Sequence, residues 1–148
     1  MIKKFDDPLA AMNAVSDLKQ RTKIVELDDN FKVTVRTLGA KDETDTFIEC
    51  MNLWGQAFLY KHKLETLCRS IIDINGVSIQ AVDIVLKRDI MGKWSQEVID
   101  ELYIEYARLI GNIDAFLEKM KLTAETNVVG AKEYQDKMQK DAKEKTDE

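Results

Sequence analysis

Apolar and polar positions change period several times along the chain, and each change marks a predicted element. Leu9, Met12, Val15 and Leu18 recur every three residues as a narrow apolar stripe. Asp7 suits a helix cap and Pro8 suits the first helical position, so residues 7 to 20 predict a short helix. A helix of this length is marginal alone in water, which makes it a docking helix or a partly ordered arm. From residue 24 the period becomes two. Ile24-Val25-Glu26-Leu27 is a short strand and Asp28-Asp29-Asn30 has turn chemistry. Phe31, Val33, Val35 and Thr37 then alternate with Lys32, Thr34 and Arg36. Together these runs predict a β-hairpin with a three-residue loop and one wet face.

A helical period follows Gly39. Asp42, Glu43 and Asp45 sit where acids favour the positive end of a helix. Phe47, Met51, Trp54 and Phe58 recur at spacings of four, three and four, and Cys50, Ala57, Leu64, Leu67 and Ile71 widen that face. One helix over about 43 to 70 is predicted, with Gly55 as a place for a break or a close contact. Asn75-Gly76 between β-branched runs then predicts a second hairpin over residues 71 to 79, closed by a type I′ turn. Residues 81 to 91 fit either a helix or a continued strand, and Met91-Gly92-Lys93-Trp94 reads as a break. Ser95 is a good cap for a last helix reaching about residue 122. Its apolar positions, Ile99, Leu102, Tyr106, Leu109, Ile113, Phe116 and Met120, alternate spacings of three and four. Val98, Tyr103, Ile110 and Leu117 broaden the stripe beyond a coiled-coil seam, so it should pack on a domain core. The expected core sets Phe47, Met51, Trp54, Phe58, Leu64 and Leu67 against Leu102, Tyr106, Leu109 and Ile113.

The fold class is therefore α+β, mostly helical, with two short β-hairpins packed against two long helices. Length and composition add the domain plan. The chain has 148 residues, which suits one domain. Residues 23–122 form that domain, preceded by an arm or short helix over 1–22. Residues 123–148 are a charged tail, because eleven of the eighteen residues from Ala131 to Glu148 are charged. Neither end buries much apolar surface, so both are expected to be mobile in the isolated protein.

Charge and residue types narrow the function. The formal charge is −5, which offers no basic field for a phosphate backbone, so no nucleic acid partner is expected. Lys3 and Lys4 are followed by no apolar run of signal-peptide length. No run is long enough for a transmembrane helix either, so no membrane partner is expected and a cytosol-like compartment is. Cys50 and Cys68 fall in apolar helical patterns and read as small core residues. There is no nucleophile-elbow motif and no glycine-rich phosphate cradle, and no calcium-loop spacing. His62, the single histidine, lies between Lys61 and Lys63 and reads as exposed. No catalytic residue, cofactor or metal is expected, and the protein is read as a non-enzyme. Trp54 reads as core. Trp94, just before the last helix, either staples that helix start or anchors a partner.

The segment Val33-Thr34-Val35-Arg36-Thr37-Leu38-Gly39-Ala40-Lys41-Asp42-Glu43 has a short strand running into a turn and then a helix. It resembles the corresponding segment of small proteins of tailed bacteriophages, the tail assembly chaperones and related baseplate-hub proteins. There the turn is of an Arg-x-Leu-Thr-x-x-Asp-Glu kind; this chain has Gly39-Ala40 where a Thr is frequent. Leu67-Cys68-Arg69-Ser70-Ile71-Ile72, leading into Ile74-Asn75-Gly76, is similar to their helix end and hairpin. The stretch from Trp94 to Tyr106 fits too, so the resemblance spans about residues 24 to 120. It implies a non-enzymatic role in the host cytoplasm during assembly, or in the virion tail or baseplate. The partners it implies are the tape-measure, tube or hub proteins, and a homo-oligomer is compatible with it. A regulatory or adaptor module with a host or phage partner is the competing reading. The expected contact surface joins Arg36 and Lys41 at the first hairpin, whose free edge is able to accept a strand. Trp94, just before the last helix, and Tyr103 on it are the other candidates.

Overall fold

The computed structural model of the chain describes residues 2–16, 18–111, 118, 121 and 122. Both predicted hairpins form. Strands β1 (Thr22–Asp28) and β2 (Phe31–Arg36) pair antiparallel with Val25 opposite Val33. Asp28 pairs with Phe31, so the loop is the two residues Asp29-Asn30 and not three. The Asp28 carboxylate closes it by accepting from the backbone N–H groups of Asn30 and Phe31 at 2.7 and 3.0 Å. Strands β3 (Ile71–Ile74) and β4 (Val77–Ser78) flank Asn75-Gly76, whose φ values of 52° and 78° are those of a type I′ turn. The two hairpins then join. β2 pairs with β3, giving one antiparallel sheet in the order β1-β2-β3-β4. The expected free edge at β2 is thus absent: backbone partners occupy both its sides, and the sheet ends at β1 and β4.

Among the described residues, five helices complete the α+β fold: α1 (Pro8–Ser16), α2 (Ala40–Cys50), α3 (Gly55–Ser70), α4 (Ile84–Met91) and α5 (Gln96–Leu109). The predicted helix over 43 to 70 is two helices. Gly55 sits at φ 58°, a left-handed conformation that glycine adopts without a side-chain clash, and the chain turns there. The ambiguous segment is helical because Asp83 caps it, accepting from the Val85 N–H at 2.8 Å. Ser95 caps α5 as expected, accepting from the Val98 N–H at 3.3 Å. α5 stops at Leu109, where Ile110 caps it and Gly111 takes φ 95°. Ile113, Phe116, Leu117 and Met120, and the tail from residue 123, lie outside the described residues.

One face of the sheet carries the main core. Val25, Val33, Val35 and Ile71 meet Leu67 and Cys68 of α3, Met91 of α4, and Ile99 and Leu102 of α5. A smaller cluster fills the angle between α2 and α3, where Cys50 and Phe58 are buried with Phe47, Leu53 and Leu59 against them. Both cysteines are buried, as their pattern predicts. Phe58, Leu67, Leu102 and Tyr106 are core residues, and Phe47, Leu64 and Leu109 are half-buried. Met51 and Trp54 are not core, with 65% and 47% of their surfaces exposed. They lie in the turn between α2 and α3, where the helical period that predicted their burial is broken.

Candidate protein-docking groove

The two hairpin turns and the α4–α5 junction meet at one end of the sheet and leave a groove between them. Its volume is about 450 Å³. Leu27, Phe31, Val33 and Ile74 form the sheet side, and Ile90, Trp94, Ser95 and Val98 form the helix side. Ser95 alone is polar among these, and its hydroxyl is already engaged as the α5 cap. Phe31 and Ile90 are each about half exposed. Leu86 and Ile90, four residues apart on α4, extend the apolar surface from the groove along that helix, and both are exposed. Contiguous exposed apolar surface of this kind marks sites where proteins meet partners.

Polar residues outside the groove fix its walls. Asn75 ties the two turns together: its backbone N–H donates to Lys32 O at 2.8 Å, and its Oδ1 accepts from Lys32 N at 2.8 Å. Its Nδ2 donates to Asn30 O at 2.9 Å. Phe31 and Ile74 are thereby held in place at the lip. On the helix side, α4 is anchored by Arg88, which grips the fully buried Glu65 of α3 with both Nε and Nη2, the latter at 3.0 Å. Lys61 at 3.0 Å and Arg69 at 2.7 Å bind the same carboxylate. Burial alone would raise the Glu65 pKa, but hydrogen bonds from Arg88, Arg69 and Lys61 outweigh it and hold it at about 2. Lys61 and Arg69, four residues either side of Glu65, were legible as helical neighbours; Arg88 was not.

Of the four residues singled out from sequence, only Trp94 lies in the groove. It packs on the main core beside the α5 start and also lines the groove, so the two sequence readings are not exclusive. Arg36 lies at the opposite end of β2 from Phe31, with Nη2 3.7 Å from the Asp42 carboxylate. Lys41 is exposed in the first turn of α2. The structure does not bring this pair to Trp94. Tyr103 is buried and unavailable to a partner, because its side of α5 turns toward α3. Its hydroxyl lies 3.1 Å from His62 Nδ1.

His62 is the clearest correction. It is buried, stacked on Phe58 with ring centroids 5.7 Å apart and tilted against Phe47 at 5.1 Å. Lys61 reaches Glu65 and Lys63 reaches Asp100 at 2.8 Å, so the flanking lysines point to polar partners while the ring between them points inward. Burial lowers the His62 pKa to about 4. Burial likewise pushes both cysteine thiols up to about 11, which leaves them unreactive at neutral pH. Among the described residues no three His, Cys, Asp or Glu side chains are placed to hold a metal. No described helix is long and apolar enough to cross a membrane. Comparison of the chain with protein-family models, curated proteins and solved structures returned no match.

Proposed function

We propose that this protein is a bacteriophage tail or baseplate assembly protein that works by binding other proteins, and that its groove receives an apolar helical segment of a tail protein. The observation that carries the binding role is the apolar groove, uncovered among the described residues, with its extension along α4. A helix presenting apolar residues at spacings of three and four suits such a surface. The phage role is supported by the short motifs around residues 33–43 and 67–76, and the tape-measure protein is the partner they suggest. Co-expression with the tape-measure and tail-tube proteins of the same genome tests it. The expected result is that the protein keeps the tape-measure protein soluble and co-purifies with it, and that Phe31→Asp abolishes both. Presence in purified virions at fixed copy number would make it a structural subunit of the tail. Capture of a host regulator, with no tail protein bound, would overturn the phage reading in favour of a regulatory module.

A further inference from the structure

The first helix carries no charge, and among the described residues nothing covers it. The nine residues Pro8–Ser16 contain no charged side chain, in a chain where charged residues make up 33%. None of the nine is buried, and α1 touches no other described helix or strand. Leu9, Met12, Val15 and the following Leu18 are each between 62% and 71% exposed. Among the described residues, then, neither this row of four large apolar side chains nor the apolar groove has an occupant.

We infer that α1 of one copy docks in the groove of a second copy, and that the exchange is reciprocal across a two-fold axis. The tether argues against docking in the same copy. Arg21 is pinned beside the far end of the sheet: its backbone N–H donates to Thr37 Oγ1 at 3.1 Å and its guanidinium to Leu109 O at 3.2 Å. The groove begins at Leu27, six residues along β1 and so about 20 Å away. Leu18, three residues before Arg21, stays within about 11 Å of it whatever path the chain takes. Leu18 therefore cannot join Leu9, Met12 and Val15 in its own copy's groove, whereas a second copy has no such constraint.

The area decides between a one-way contact and an exchange. Side chains of this size each take about 60–120 Å² of apolar surface out of water. Four of them with the matching groove surface bury on the order of 700 Å², the size of a lattice contact. A reciprocal exchange doubles that to on the order of 1,400 Å², within the range of stable specific interfaces. This inference needs only α1 and the groove: α1 fills the groove when no partner is present, and a tail segment of the kind proposed above would displace it, so either reading can fail without the other.

Sedimentation of the full chain tests it, with no partner present. The wild-type protein should show the mass of two 17.0 kDa chains. Met12→Asp in α1 and Ile90→Asp in the groove should each reduce it to one chain that still melts cooperatively, with a lower melting temperature because the dimer contact is lost. Both positions are exposed, so the fold tolerates the charge; should Ile90→Asp unfold α4, Phe31→Asp tests the groove from the sheet side. A wild-type chain that is monomeric at every concentration would overturn the inference. So would a dimer that survives either the α1 substitution or the groove substitution.

Discussion

Glu65 and His62 lie one turn apart on the same helix and respond to acid in opposite chemical senses with the same result. Glu65 is held down at about 2, so its stabilising charge is complete above the ordinary carboxylate value near 4.5 and is lost as pH falls toward 2. His62 is held down at about 4, so the unfolded chain takes up a proton that the folded one refuses between 6.5 and 4. Stability therefore falls through that window as well. Each shift corresponds to up to about 3 kcal/mol. Denaturant titrations should show stability dropping first between pH 6.5 and 4, then again below 4.5. His62→Phe should remove the first decline and leave the second. At neutral pH, Glu65→Gln should cost on the order of 3 kcal/mol. That is the low end for breaking a buried ion pair, because Lys61 and Arg88 each keep about a quarter of their side chains in water. A loss under about 0.5 kcal/mol would show that the three cations are well solvated without the carboxylate. Neither residue announced itself in the sequence. α3 meets α2, α4, α5 and the sheet on different sides, so no single apolar stripe marks which of its polar residues are inside.

At the scale of elements, the hairpins and caps were legible because short-range chemistry settles them. Asn75-Gly76 takes its turn in any context, and Ser95 needs only its own helix. The joint between α2 and α3 was not, since a glycine within an otherwise continuous helical period is compatible with a helix or a break. The two readings predict opposite signs for one substitution. In an unbroken helix Gly55→Ala would stabilise by about 1 kcal/mol. At φ 58° it should instead destabilise by about 1–2 kcal/mol, measurable by thermal melting. α5 offers a second comparison along one helix. Leu102 is fully buried against the sheet while Leu109 near its end is half-buried. Leu102→Ala should cost about 2–5 kcal/mol, and Leu109→Ala distinctly less. Equal costs would mean that Leu109 is buried as deeply as Leu102.

Across the whole molecule, the apolar groove was the feature least accessible from sequence. It is made by two turns and a helix junction from residues 27 to 98, and no local pattern links Phe31 with Ile90. Only Trp94 carries a local signal, its place just before a helix start, and that signal fits both staple and anchor. The opposite error arose at Arg36 and Lys41, where a hairpin taken in isolation has two open edges and the folded sheet covers one of them with β3. The placement of the chain's two tryptophans has an optical consequence. Trp54 stands 47% exposed at the α2–α3 turn, while Trp94 lines the groove. Replacing Trp54 by Phe leaves a single indole whose fluorescence reports whether the groove is wet or filled. Its emission should shift to shorter wavelength when an apolar helix enters, and to longer wavelength when Met12→Asp removes α1 as an occupant. The protein thus carries its own light-emitting gauge of occupancy, readable without a label.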